Sequence, residues 1–228
     1  DTAAVFNSST GHVAVAHHSL LQPSTITVEA WIRPDASTQD YDSVLMKSTS
    51  NNWNDGYGVY YVGGTINFFV NHYASAKVDA AVPLNTWTHV VGTYDGSNLR
   101  LFINGAEADV LAYSTPINQS TFDLFIGRGA GNGYHWGGGL DEVAVYGSAL
   151  PAGRITAHYE LGVNGPMRNG PPGKSSGGDA DPFASSSNHP GSASLREYEG
   201  VLLPQFISEL ENAVESSRAK IRKRTGLY

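Results

Sequence analysis

Between Thr25 and Arg33, apolar and polar positions change places at every step. Ile26, Val28, Ala30 and Ile32 alternate with Thr25, Thr27, Glu29, Trp31 and Arg33. A period of two marks a β-strand. The same alternation, or a short run of β-branched and aromatic residues, predicts further strands at 12–16, 43–47, 57–62, 65–71, 76–80, 87–94, 99–103, 107–111, 122–127 and 140–146. Gly63-Gly64, Asp95-Gly96-Ser97, Asn104-Gly105 and Gly131-Asn132-Gly133 punctuate these runs as turns. Asn104-Gly105 between two apolar runs is a strong hairpin signal. Short strands at regular spacing predict an all-β, two-sheet antiparallel sandwich rather than a parallel sheet. One short helix is expected after the last strand. Pro151 suits its first turn, and Ile155 with Tyr159 makes an apolar i, i+4 pair.

The pattern changes after Gly162. Residues 163–194 hold 6 Gly, 5 Pro and 7 Ser, the composition of a linker arm. In residues 195–228, Phe206, Leu210, Val214 and Ile221 fall along one stripe at helical spacing. Glu209 and Glu211 come early and Lys220, Arg222, Lys223 and Arg224 late, as a helix dipole prefers. Such a helix cannot bury its stripe alone, so it reads as a docking or oligomerisation element for another protein chain or assembly. The expected organisation is therefore a globular domain over 1–162, a linker arm over 163–194 and an amphipathic helix over 195–228.

Composition narrows the function classes. The chain has 228 residues, 40% of them hydrophobic, which suffices for a real core. Its 21 acids exceed its 14 bases, and the excess lies in residues 1–162, with 14 acids and 6 bases. That balance argues against general nucleic-acid binding. Without cysteine there is no disulfide framework or thiolate metal site. No apolar run approaches the ~20 residues of a membrane span. The first residue, Asp1, reads as a processed end. Gly170-Pro171-Pro172-Gly173-Lys174-Ser175 imitates a phosphate loop, but Arg168 stands where the first glycine belongs.

Five stretches together resemble the laminin G-like, concanavalin A-like jelly-roll superfamily. They are Ile26-Thr27-Val28-Glu29-Ala30-Trp31-Ile32-Arg33-Pro34, Trp87-Thr88-His89-Val90-Val91-Gly92-Thr93-Tyr94-Asp95-Gly96, Leu99-Arg100-Leu101-Phe102-Ile103-Asn104-Gly105, Phe125-Ile126-Gly127-Arg128 and Gly139-Leu140-Asp141-Glu142-Val143-Ala144-Val145-Tyr146. The likeness covers about residues 3–162 and implies a two-sheet jelly roll. It also implies two kinds of chemistry to look for. Some members cleave polysaccharides with carboxylates paired on one strand face, and retaining hydrolysis needs about 5–5.5 Å between them. Here Glu107 and Asp109 begin such a pattern, but Leu111 ends it, so an enzyme is disfavoured. The resemblance further implies a structural calcium at Asp141, which opens the last long strand, together with carbonyls near the N-terminus.

Recognition chemistry falls on loops. An aromatic ring can pack on the apolar face of a sugar while amides and acids bond the hydroxyls. The loop 48–56 holds Asn51, Asn52, Trp53, Asn54 and Asp55, and the loop 131–137 holds Asn132, Tyr134, His135 and Trp136. Asn71, His72 and Tyr73 are candidates to join them. The alternative for Trp53 and Trp136 is that each folds back as a lid on the core. His89 reads as a packed sheet residue, and His17-His18 as a solvated loop pair. The expected function is non-catalytic, lectin-like binding of a glycan or protein surface, at an extracellular or virion surface, with the C-terminal arm as anchor. The alternative is a structural or decoration role in a large assembly such as a virion.

Overall fold

In a computed structural model the described residues are 3–49, 52–131 and 133–164. The arm, and the helix expected to carry Phe206, Leu210, Val214 and Ile221, lie outside them. Twelve strands, one 3-10 turn (Ser19–Leu21) and one α-helix make up the described residues. Two six-stranded antiparallel sheets face each other, as the alternation predicts. The first sheet runs in the order β1 (Ala4–Asn7), β12 (Gly137–Tyr146), β3 (Ile26–Pro34), β8 (Thr88–Tyr94), β9 (Asn98–Ile103), β10 (Ala106–Ala112). The second runs β2 (Val13–Val15), β11 (Leu124–Ile126), β4 (Ser43–Lys47), β5 (Tyr57–Val62), β6 (Thr65–Val70), β7 (Lys77–Ala81). This is a jelly-roll sandwich.

The core lies between the sheets. Val28, Ala30 and Ile32 meet Val90, Tyr94, Leu99 and Leu101 from the first sheet. Tyr57, Val59, Ile66, Phe68 and Val70 answer from the second. Gly92 shows how closely they approach: a Cβ there would lie 2.2 Å from Cγ of Phe68. A glycine in mid-strand is thus the seat of a ring from the facing sheet.

Some details differ from the sequence reading. Ala4–Asn7 forms an edge strand, paired Ala4 to Leu140 and Asn7 to Gly137, where no strand was expected. Trp87 precedes β8 rather than opening it, and β11 keeps only three residues. The helix α1 (Ala152–Asn164) extends two residues into the expected linker.

That helix closes the outer face of the first sheet. Ile155 is buried with Val91 and Phe102, while Tyr159 stacks on Trp31 at 5.8 Å. Beneath it is a buried polar knot. His89 Nε2 donates to Glu29 Oε1 at 2.7 Å, and His158 Nδ1 reaches the same carboxylate at 3.0–3.1 Å. Burial alone would push the Glu29 pKa up. The bonds and charges of His158 and His89 outweigh it and hold the carboxyl near 2. His89 is therefore a packed sheet residue, as expected, and the polar positions 29 and 89 of the alternation face the helix rather than water.

Candidate functional site

Among the described residues no helix lies over the outer face of the second sheet. Directly opposed residues on antiparallel strands share a face. The register places Met46, Gly58 and Phe69 in one row across β4, β5 and β6. With Tyr60 they form a second apolar cluster, roofed by Trp53 and joined by Ala130 and Tyr73. Gly58 lets the row close up: a Cβ there would lie 2.7 Å from Phe69 and 2.8 Å from the Met46 sulfur.

Loop aromatics complete the array. Trp53 lies nearly parallel to Phe69 at 6.3 Å and tilts against Tyr60 at 5.4 Å. Tyr41 stacks on Tyr60 at 6.1 Å and meets Trp53, Tyr73 and Tyr134 edge to face at 5.9–6.2 Å. These are the spacings at which aromatic pairs attract. Tyr41 is 38% exposed and Tyr134 46%, whereas Trp53 is only 3% exposed. The Tyr60 hydroxyl donates to the Tyr73 carbonyl at 2.8 Å, and burial raises its pKa.

The backbone beneath these rings is unusual. Tyr41, Trp53 and Tyr134 have φ of 71°, 40° and 58°. Bulky L-residues avoid this left-handed region, at a cost of roughly 1–2 kcal/mol each. Main-chain bonds hold them there. Tyr41 N–H donates to Tyr61 O at 2.6 Å, Ser43 N–H to Tyr134 O at 3.0 Å, and Tyr73 N–H to Trp53 O at 3.3 Å. The Trp53 Nε1–H is buried with no acceptor among the described residues.

The structure sorts the sequence candidates. It brings Trp53, Tyr73 and Tyr134 together, with His72 stacked on Tyr73 at 5.4 Å. Asn52 and Asn54 are exposed beside Trp53. Asn51 and Asn132 lie outside the described residues. Trp136 is a different case. It is fully buried between the sheets, where its Nε1 donates to Gly139 O at 3.4 Å, so its ring cannot meet a sugar. Trp53 likewise presents no open ring face; it is a roof on which Tyr41 and Tyr134 lean. Asp55 braces its own loop, accepting from Ser48 Oγ at 2.8 Å and Thr49 N–H at 2.7 Å. Asn71 is buried and bonds Tyr113 and Pro116. His135 turns toward His12, with ring centroids 5.9 Å apart.

Tyr41 and Tyr60 were missed. Tyr60 sits in a strand whose pattern Tyr57-Gly58-Val59-Tyr60-Tyr61-Val62 is apolar on both faces, which was the available signal for a covered outer face. Tyr41 offered none beyond being an aromatic in a loop.

Carboxylates are placed apart from the array or engaged. A bulge between Glu107 and Asp109 pairs Glu107 with Phe102 and Asp109 with Leu101. Phe102 lies under α1 and Leu101 in the core, so the two acids take opposite faces. Asp79, at the edge of the second sheet, is ion-paired to Lys77 at 2.6 Å. Asp141 lies in the first sheet, paired with Trp31 of β3, and its Oδ1 accepts the Glu142 N–H at 2.9 Å within a second bulge. Among the described residues no three His, Asp or Glu side chains cluster to hold a metal.

With this geometry in hand, comparison with known families is decisive for the fold. Residues 7–156 match the family model described as the concanavalin A-like lectin/glucanases superfamily. The chain belongs to that family. No curated protein matches it by sequence. Among solved structures it is similar to a candidate carbohydrate-binding protein from Bacteroides ovatus, at 17% identity and TM-score 0.55 over 68% of this chain and 45% of that one. It is similar to domain 4 of AbnA, an extracellular arabinanase from Geobacillus stearothermophilus solved with arabinotriose, at 18% identity and TM-score 0.55, over 68% of this chain and 75% of that one. A heptameric pentraxin from Limulus polyphemus matches at 19% identity and TM-score 0.52, over 67% and 78%. The chain thus spans under half the length of the Bacteroides protein. At these identities the likeness is one of fold.

Proposed function

We propose that this domain is a non-catalytic recognition module that binds carbohydrate on the outer face of its second sheet. The observation that carries the reading is the trio Tyr41, Trp53 and Tyr134, all held at positive φ around one aromatic array. Strain of this kind in bulky residues persists only where the surrounding structure enforces it, and it clusters at ligand-binding sites. The two exposed tyrosines give amphipathic rings suited to sugar faces, and Asn52 and Asn54 beside Trp53, with His72 stacked on Tyr73, bring polar groups to the same array. The arabinotriose bound to the Geobacillus domain is in keeping with this reading.

The rest of the proposal concerns setting. The module works at an extracellular or virion surface, anchored through residues 163–228. A calcium at Asp141, drawing on one carboxylate and main-chain carbonyls, would bind weakly and serve stability rather than recognition.

The test is a glycan array probed with the 228-residue chain and with Tyr41→Ala and Tyr134→Ala variants. Hits that fall at least tenfold in both variants, at unchanged melting temperature, support the reading. An array without hits, or hits indifferent to both tyrosines, refutes it.

A further inference from the structure

The aromatic array is continuous with a polar patch on the same sheet face. Tyr60 stands opposite Asn67, and Asn67 opposite Asp79, so one row runs from β5 across β6 to β7. Phe69 stands opposite Lys77 in the neighbouring row. Directly opposed residues share a face, and so do residues two apart on one strand. Asn67, Lys77 and Asp79 therefore lie on the outer face with Tyr60 and Phe69. Asp79 is two strands, or about 10 Å, from Tyr60. Burial raises the Tyr60 hydroxyl pKa, and the charge of Asp79 adds to that rise.

The three polar side chains are joined. Lys77 Nζ donates to Asn67 Oδ1 at 2.7 Å and to Asp79 Oδ1 at 2.6 Å. Asn67 is fully buried, and its Nδ2 donates to the Thr65 carbonyl and hydroxyl at 3.2–3.3 Å. Asparagine is a poor strand residue, and its amide is unfavourable to bury unless bonded. Here that amide fixes the Lys77 ammonium in place. A lysine that only guarded an edge strand against pairing would need no such anchor.

One donor and one acceptor are left over side by side. An ammonium has three N–H groups, and Lys77 gives two of them to Asn67 and Asp79. Asp79 uses Oδ1, while its Oδ2 has no hydrogen-bond partner among the described residues. Both side chains reach solvent, Lys77 at 29% exposure and Asp79 at 43%. A sugar hydroxyl accepts and donates at once, and neighbouring ring carbons carry two of them in a row. Lys77 and Asp79 match such a pair, with charge-assisted bonds in both directions. An ionic ligand is matched less well. Asp79, and Asp109 whose Oδ2 accepts the Asp79 N–H at 3.0 Å, repel an anion, while Lys77 repels an amino sugar.

We propose that Lys77 and Asp79, positioned by Asn67, read the hydroxyls of the glycan bound on this face, and that this glycan is uncharged. The inference rests on the glycan-binding reading and adds a subsite and a substrate class. Tyr41, which stacks on Tyr60, supplies the ring face, and the row from Tyr60 to Asp79 carries the sugar from apolar to polar contacts.

The test is a glycan array holding neutral, acidic and amino-sugar oligosaccharides, probed with the 228-residue chain and with its Asp79→Ala and Lys77→Met variants. Titration calorimetry then compares the strongest hit with its singly deoxygenated analogues. The expected hits are neutral sugars, and each variant should weaken them about tenfold or more, the loss expected for a hydrogen bond to a charged group. One deoxy analogue should lose a similar factor on the native chain and almost nothing further on Asp79→Ala, a coupling that a purely structural ion pair would not produce. That comparison also keeps the test readable if a variant melts lower. Hits led by acidic or amino sugars, or neutral binding indifferent to both substitutions, overturn the inference while the glycan reading stands. An array without hits overturns both.

Discussion

Glu29 ties three elements together: its own strand, the neighbouring strand through His89, and α1 through His158. Glu29→Gln keeps the shape and removes the charge. In the folded protein the carboxyl titrates near 2 rather than 4.5, because the imidazole bonds overcome the cost of burial. That difference is worth roughly 3 kcal/mol of folding stability. It is fully present above about pH 4.5, where the unfolded chain is also ionised. It declines as pH falls toward 2, because the unfolded chain takes up the proton first. For a domain of this size 1 kcal/mol moves the melting temperature by about 2–4 °C. Glu29→Gln should therefore melt roughly 5–10 °C lower near neutral pH, and the gap should shrink steadily as pH is lowered toward 3. Far-UV circular dichroism on both proteins across that range measures it. A gap under about 1 °C at neutral pH, or one that does not narrow in acid, would refute the reasoning.

Two further predictions concern single side chains. Asp42 is buried with a pKa raised by that burial to about 6, only partly offset by the Gln39 N–H and Ser8 Oγ that bond it. The native state keeps the proton over the window from 3.8 to about 6, so this group costs stability as pH rises through it. Asp42→Asn should raise the melting temperature at pH 7.5 by the equivalent of roughly 1–3 kcal/mol and leave it unchanged near pH 4; an equal effect at both would remove the idea. Gly92→Ala forces a methyl against Phe68 and should cost about 1–3 kcal/mol in urea unfolding, partly recovered by adding Phe68→Leu. Strictly additive effects would show that the two residues do not touch.

The sandwich was legible because alternation reports a face directly. Ile26, Val28, Ala30 and Ile32 point inward as read, and the Asn104-Gly105 hairpin is where it was expected, Asn104 taking the positive φ that such a turn needs. What alternation could not report is whether the other face is dry. Thr27, Glu29 and Trp31 take the polar phase of the alternation, yet all are buried: His158 and Tyr159 of α1 meet Glu29 and Trp31, and Thr27 bonds Ser148 and Leu150 just before the helix. The edge strand Ala4–Asn7 was invisible for the opposite reason: Val5 is 77% exposed, so its pattern carries little burial signal. The site was half legible. Trp53, Tyr73 and Tyr134 were found as loop aromatics, but nothing local distinguishes Trp136, which fills the core. The bulges at Glu107/Asp109 and Asp141/Ala144 also escape a period-two reading, since one extra residue reverses every facing assignment beyond it.

Both sheets pose the same problem, an outer face too apolar for water, and the chain solves it twice by different means. On the first sheet a regular helix supplies the cover, with Ile155 buried and a buried Glu–His knot beneath it. There no bulky aromatic is held at positive φ to build the cover. On the second sheet the cover is assembled from three separate loops whose aromatic residues reach position only at positive φ. A helix or a few aliphatic side chains would have sealed Met46, Tyr60 and Phe69 at lower cost. A cover that instead leaves Tyr41 and Tyr134 a third to a half exposed is poorly explained by stability alone. The strain is repaid if those rings have something to hold. The two outer faces of one sandwich thus act as each other's control: truncating Ile155, buried under α1, should change melting only, and removing Tyr41 or Tyr134 should change binding with little effect on melting.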